Sequence, residues 1–121
     1  MKNFTITVIH AAFLRDGEQP TAVARVSTAG LDIFQATEYA YRWTNNIDGS
    51  WSMKIGEDAN DDVEVIAPLI NHKGQTYGLR STSVGDVMFV DDGEGFTDYF
   101  KVAGFGFEPC DAIEYTTLET A

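Results

Sequence analysis

The fold of this chain is decided by the segment Arg80-Ser81-Thr82-Ser83-Val84-Gly85-Asp86-Val87-Met88-Phe89-Val90, which leads into the acidic turn Asp91-Asp92-Gly93-Glu94-Gly95 and a return run over residues 96–107. Apolar side chains occupy both alternating sets of positions in residues 87–90, as in a strand that is buried on both faces. The glycines of the turn permit positive φ, and its carboxylates are solvated easily at a surface. The segment therefore predicts a β-hairpin.

Two further strands are predicted at the start of the chain. Residues 3–11 alternate apolar and polar side chains, and residues 21–27 do so again after a turn over residues 16–20 that contains glycine and proline. A short connection of this kind favours antiparallel pairing of the two strands. The sequence therefore predicts a second hairpin that opens the fold.

A helix is predicted between the two hairpins. Its spacing runs from about Leu31 to Asn45, and either Ser27 or Thr28 is a candidate N-cap. Apolar residues recur at helical steps on one side and predict a face that packs on a sheet. That stripe comprises Ile33, Ala36, Ala40, Trp43 and Ile47.

The elements together predict one α+β domain over residues 1–121. Its sheet is expected to be mainly antiparallel and twisted, either open or closed in part into a barrel, with one principal helix across it. Residues 108–121 are expected to form a last strand or a loosely ordered tail.

Composition limits the class of protein. The 121 residues include a single cysteine, Cys110, which cannot form an internal disulfide and indicates a reducing compartment. No stretch approaches the ~20 apolar residues of a membrane span. We therefore expect a cytoplasmic protein that makes no membrane contact.

The net charge of −11 is distributed unevenly along the chain. Residues 1–56 carry five basic and five acidic side chains, whereas residues 57–121 carry three basic and fourteen acidic ones. Such a surface repels phosphates, so direct DNA or RNA binding is not expected, while basic proteins are attracted. The alternative is that the acidic residues serve only solubility. The predicted interaction surface comprises Glu57, Asp58, Asp61, Asp62, Asp91, Asp92, Glu94 and Asp98.

A polar loop over residues 45–52 places two side-chain amides and a glycine beside a tryptophan, and loops of this kind often carry binding sites. The alternative is a helix stop in which the tryptophan fills the edge of the core. The candidate ligand pocket comprises Asn45, Asn46, Trp51, Tyr77 and Arg80.

No catalytic constellation is evident. His10 and His72 have no ligand-type neighbours at recognised metal-binding spacings, so no metal or cofactor is expected. Carboxylates flank Cys110 and disfavour its thiolate, and Ser81 and Ser83 lack the Gly-x-Ser-x-Gly elbow of serine hydrolases. The sequence therefore predicts a protein that is not an enzyme.

Two resemblances add to this interpretation. The run from Arg80 to Val87, followed by a turn and an aromatic strand that ends at Gly104-Phe105, resembles a segment of the small YodL-like proteins of phages and bacterial mobile elements. It implies a phage or mobile-element accessory protein without an established activity. The Val84-Gly85-Asp86 strand start is also similar to that of PUA- and ASCH-type barrels, which implies nucleic-acid binding.

The resulting hypothesis is a non-enzymatic acidic protein, phage-encoded, that binds a host protein of basic surface and inhibits it by imitating phosphates. The alternative hypothesis is a PUA- or ASCH-like module that binds a nucleotide or nucleic acid. A third is a virion or assembly component. The sequence does not predict an oligomeric state.

Overall fold

A computed structural model describes residues 3–12, 14, 17, 19–45, 51–52, 62–67, 70–72, 75–77, 79–104, 106–113 and 115–117 of the chain. In this part of the chain there are one helix and nine strands. In chain order they are β1 (Asn3–His10), β2 (Thr21–Ala29), α1 (Ile33–Trp43), β3 (Val63–Val65), β4 (Ile70–His72), β5 (Gln75–Tyr77), β6 (Val87–Asp91), β7 (Thr97–Val102), β8 (Phe107–Pro109) and β9 (Thr116–Thr117).

The main sheet contains six strands in the order β3-β2-β1-β6-β7-β8, and every neighbouring pair in this order is antiparallel. The short strand β9 joins it by parallel pairing with β2, while β4 and β5 form a separate antiparallel pair. The predicted α+β class with a mainly antiparallel sheet is confirmed. Of the two forms left open by the sequence, the described strands adopt the open sheet, not the barrel.

Both predicted hairpins are present. Strands β1 and β2 pair from Asn3 opposite Ala29 to His10 opposite Thr21, with an irregularity between Val8 and Ile9. Strands β6 and β7 pair directly across the acidic turn. The return run 96–107 is shorter as a strand than its sequence suggests, because the chain turns again after β7, where the Ala103 N–H donates to the Gly106 carbonyl.

The helix begins later than the sequence suggested. Ser27 and Thr28, the predicted N-caps, lie inside β2, and the cap is Asp32. The Asp32 carboxylate accepts a hydrogen bond from the Gln35 N–H, and the Gln35 side chain accepts one from the Asp32 N–H. This reciprocal pair forms a capping box and satisfies two N–H groups at the helix start.

The helix α1 packs its small residues on the sheet. Ala36, Thr37 and Ala40 are buried, whereas Ile33 and Trp43 are covered in part, and Ile47 lies outside the described residues. Small side chains allow a close approach of helix and sheet. No helix in the described part of the chain is both long enough and apolar enough to cross a membrane.

The core lies mainly between α1 and the sheet. The even-numbered residues of β1 point toward the helix and meet side chains from the neighbouring strands in register. These buried residues include Phe4, Ile6, Val8, Val26, Met88 and Val90.

A smaller apolar cluster occupies the opposite face of the sheet. Ile9, Ala22 and Val87 are buried there. The segment that follows β8 covers this cluster, with Ile113 and Tyr115 packed against it before β9 pairs with β2. The sheet is therefore buried on both faces at one end, where β2 begins, and less so at the other.

Candidate functional site

The strand register defines two ends of the main sheet. At one end β1 begins and β2 and β6 end; at the other β1 ends and β2 and β6 begin. We call the first the acidic end, because six of the described carboxylates lie there. They are Asp32, Asp62, Asp91, Asp92, Glu94 and Asp98.

One transverse row of the sheet links two of these groups. Thr5 of β1 stands opposite both Ser27 of β2 and Asp91 of β6, and the Ser27 N–H donates to the Asp62 carbonyl at 2.9 Å. Asp62 and Asp91 are thus three strand spacings apart, roughly 14 Å. The structure therefore places the members of the predicted acidic surface that it describes at one end of the sheet, while Glu57, Asp58 and Asp61 lie outside the described residues.

These carboxylates are not equally available to a partner. Asp92 is only 9% exposed, and its Oδ1 accepts hydrogen bonds from the N–H groups of Glu94 and Phe96, so it holds the turn together. The Asp91 side chain accepts the Gly93 N–H in the same turn. Glu94 is exposed. Asp98 is half-buried, and its Oδ1 accepts a hydrogen bond from the N–H group of Tyr99.

At the β3 side of the acidic end, Asp62 is exposed, and its Oδ2 accepts a hydrogen bond from the Tyr39 hydroxyl at 2.7 Å. The two residues border an open hollow of about 610 Å³, whose wall includes Thr5 and Ser27. Hydroxyl groups and a carboxylate therefore surround a space that is large enough for cationic side chains.

Basic side chains lie elsewhere in the described part of the chain. Arg25 pairs with Glu64 in the middle of the sheet at 3.2 Å, and Lys101 stands opposite Val87 near the other end. Arg42 and Arg80 also lie toward that end, Arg42 in the last turn of α1 and Arg80 before β6. Six of the eleven described carboxylates therefore lie at the end of the sheet that carries none of the four described basic groups.

The residues of the predicted ligand pocket occupy different surroundings. Trp51 is 1% exposed, and its Nε1 donates to the Arg80 carbonyl at 2.9 Å, so its ring is not accessible for stacking on a base. The Asn45 amide donates to the Tyr41 carbonyl at the end of α1. Tyr77 ends β5, and Asn46 lies outside the described residues.

The Arg80 side chain is committed to Asp86, a residue that the sequence analysis did not single out. Two guanidinium nitrogens donate to the two Asp86 oxygens at 2.7 and 2.8 Å. The same carboxylate accepts the N–H groups of Ala11, Ala12 and Ser83 at 2.8–2.9 Å. Asp86 is 0% exposed, so its five hydrogen bonds join the end of β1, the segment before β6 and β6 itself.

A chain of hydroxyl groups extends this buried network. The Thr44 hydroxyl donates to the Ala40 carbonyl and therefore accepts from Thr82, 2.7 Å away. Thr82 is then the acceptor for Nε2–H of His10 at 3.2 Å. This order of donors requires a proton on Nε2 of His10. The His10 ring stands edge-on to Trp51.

Burial shifts the pKa values of the two titratable groups in opposite directions, but the pKa of each lies below its usual value. It lowers the pKa of His10 to about 4, because the attraction of Asp86 is too small to offset desolvation and Arg80 opposes protonation. Burial by itself would raise the pKa of Asp86, but the hydrogen bonds from Arg80, Ala12 and Ser83 outweigh it and hold that pKa below its usual value. Both groups thus keep one charge state at neutral pH and act as structural links.

The buried position of Asp86 explains the Val84-Gly85-Asp86 segment of the sequence. Gly85 has φ of +97°, and a Cβ at this position would stand 3.2 Å from the Ala12 Cβ. The glycine permits the turn that directs the next carboxylate inward, toward the β1 end. The sequence contained this segment, but nothing local in it indicated that Asp86 would meet Arg80.

No group of three or more histidine, cysteine, aspartate or glutamate side chains suited to a metal ion occurs among the described residues. Burial raises the pKa of the Cys110 thiol, and the nearby Asp111 and Asp98 act in the same direction despite the opposing charge of Lys101. No protein-family model matches the chain, and neither the curated proteins nor the solved structures contain a match.

Proposed function

We propose that this protein binds a partner protein through the acidic end of its sheet, and that the partner presents a surface rich in lysine and arginine. The observation that carries the proposal is the clustering of six described carboxylates at that end, with all four described basic groups placed elsewhere. Clustered charge of one sign sets up a directed field, whereas dispersed charge mainly maintains solubility.

The geometry supports contact as well as attraction. The open hollow beside Asp62 and Tyr39 has room for cationic side chains from a partner, and exposed Glu94 projects from the β6–β7 turn across the sheet. By occupying a basic surface, the protein would compete with the anionic ligands of that surface. Inhibition by competition is therefore the expected consequence of binding.

The test compares two triple variants that each remove three negative charges. Asp62→Asn/Glu94→Gln/Asp98→Asn removes three of the six negative charges of the acidic end, and the amides keep an acceptor oxygen at each position. The matched control, Glu64→Gln/Glu108→Gln/Asp111→Asn, neutralises exposed carboxylates away from that end. Each protein is immobilised and exposed to nuclease-treated bacterial lysate from ~0.05 to ~0.5 M salt, where screening becomes strong.

We expect wild type and control to retain the same basic protein at low salt and to release it at high salt, while the acidic-end variant retains about tenfold less. Equal loss by both variants would show that retention follows net charge alone. Retention that depends neither on salt nor on the acidic end would contradict the proposal outright.

A further inference from the structure

The helix covers only part of the sheet face on which it lies. Eleven residues of α1 span roughly 16 Å, and α1 packs over β1 and β2. The six strands of the sheet extend across roughly 24 Å. Within the described part of the chain, no second helix lies over the helix-side face of β7 and β8.

The uncovered region forms an apolar hollow of about 190 Å³ beside α1. Ile33, Phe34 and Thr37 of the helix line one side, and Phe100 and Phe107 of the sheet line the other. Phe34 is 67% exposed, the most exposed large apolar side chain among the described residues. A side chain of this kind beside an apolar hollow is typical of a surface that a partner covers.

A second hollow of about 240 Å³ continues along the helix. Phe107 belongs to both hollows, and the lining of the second includes Glu38, Tyr41, Gly104 and Gly106. Glu38 is exposed and brings a carboxylate to this position. The two hollows are about one helical turn apart along α1, roughly 6 Å. We call them together the α1–β7 groove.

We infer that the α1–β7 groove binds an amphipathic helix of the partner, which places a large apolar side chain beside Phe34 and a lysine or arginine beside Glu38. The inference rests on the proposed function, since it assigns the basic partner a binding element. Two such side chains four residues apart on one helix match the separation of the hollows. A helix bound in the groove would pack beside α1, and helices packed side by side are usually about 8–10 Å apart between their axes.

Charge and size select this occupant. Asp32 at the N-cap of α1 and Glu38 within the helix are exposed. Asp98 lies on the helix-side row of β7, and no described basic group lines either hollow. A second copy of this chain carries a net charge of −11 and would be repelled. Each hollow is smaller than the ~300 Å³ at which small-molecule sites begin, and suits one side chain.

The probe for the test is a fluorescein-labelled helical peptide of about five turns, with leucine on one face and lysine on the other. Its matched control has glutamate at every lysine position. Affinities are measured by fluorescence anisotropy for wild type, Phe34→Ala, Glu38→Gln and Val84→Ala. Val84 is 57% exposed but lies beside Asp86 at the other end of the sheet, so it controls for loss of an exposed apolar side chain.

We expect Phe34→Ala to weaken binding of the lysine peptide about tenfold or more, Glu38→Gln about threefold, and Val84→Ala less than twofold. The amide resonances of Gly104 and Gly106 should shift when the peptide binds. The thermal midpoint of Phe34→Ala should match that of wild type, because the side chain is exposed.

Equal affinities of Phe34→Ala and Val84→Ala would overturn the groove assignment. If the acidic-end triple variant still lowers the affinity in that case, the proposed function stands and the groove inference alone fails. If neither the acidic-end variant nor Phe34→Ala changes the affinity, both fail. Equal binding of the glutamate peptide, or a homodimer that Phe34→Ala dissociates, would also overturn the basic-helix assignment.

Discussion

Strand β6 connects two ends of the sheet that use aspartate in opposite ways. Asp86, directly before β6, is fully buried and accepts five hydrogen bonds from Arg80 and three backbone N–H groups. At the other end of the strand, Asp91 and Asp92 lie in a turn where their carboxylates accept hydrogen bonds from nearby backbone N–H groups. The number of donors around a carboxylate, more than its residue type, therefore determines whether it serves stability or surface charge.

The net charge of the chain includes carboxylates that a partner cannot reach. Seven of the eleven described carboxylates are exposed, and the others are half-buried or buried. A count from the sequence includes Asp86 and Asp92, although neither is available to a partner. Substitutions at the two ends of the sheet should therefore differ in their effect on the free energy of unfolding.

The largest effect is expected from Asp86→Ala. This change leaves the Arg80 guanidinium and three N–H groups without their acceptor, and loss of one partner in a buried ion pair costs about 3–5 kcal/mol. Urea denaturation followed by tryptophan fluorescence measures the difference in free energy of unfolding. Asp111→Ala, at an exposed position, is the control and should remain close to wild type.

The variant Arg80→Met separates the two parts of the Asp86 network. It should lower the free energy of unfolding less than Asp86→Ala does, because the carboxylate keeps its hydrogen bonds from the N–H groups of Ala11, Ala12 and Ser83. Equal losses in the two variants would show that the ion pair, and not the backbone acceptor role, dominates this end of the sheet.

The second effect is a dependence of stability on pH through His10. Its pKa is about 4 in the folded protein and about 6.5 when unfolded, so the unfolded chain binds the proton first as pH falls. The free energy of unfolding should therefore decrease from about pH 6.5 to about pH 4, by roughly 3 kcal/mol at most. Asp86, with its lowered pKa, adds a loss only below its ordinary range, as pH falls under 3.8.

The control for this dependence is His10→Gln, which has no titration in the same window but can still donate to Thr82. Its stability should be lower at pH 7 but nearly constant between about pH 6.5 and pH 5. A wild-type curve that is flat over this window would show that His10 titrates normally in the folded protein.

The smallest effects are expected at the acidic end. Asp92→Ala removes the acceptor for the N–H groups of Glu94 and Phe96 and should cost about 2 kcal/mol, since the carboxylate is largely buried. Glu94→Gln in the same turn should change stability by less than about 0.5 kcal/mol. Thermal unfolding of the two variants under one buffer condition tests this, and a similar midpoint for both would remove the structural role of Asp92.

Local pattern was sufficient for much of the fold. The alternation in residues 3–11 and 87–90 predicted β1 and β6, and the glycines and aspartates between residues 91 and 95 predicted the turn. The helix was predicted from its spacing, but its cap was not. Ser27 and Thr28 are as suitable chemically as Asp32, and only the continuation of β2 to Ala29 excluded them.

The candidate site was predictable only in part. The many acidic residues in the second half of the chain indicated a charged surface. The described residues of the predicted acidic surface lie at one end of the sheet. Phe34 and the α1–β7 groove were not predicted. Whether an apolar side chain on a helix is exposed depends on which strands the helix packs against, and the sequence of the helix does not specify those strands. A single apolar residue in an amphipathic sequence gives no such information.

By itself, the sequence determined the strand and helix patterns, the two hairpins and the excess of negative charge, because each follows from neighbouring residues and their hydrogen-bonding periods. The tertiary structure decided which carboxylates are buried, that Arg80 meets Asp86 instead of a ligand, and that six acidic residues share one end. Those outcomes depend on strand order and register, which place residues more than 70 positions apart, such as Ala11 and Asp86, within hydrogen-bond distance. Burial and charge pairing are properties of that arrangement and are absent from any local stretch of chain.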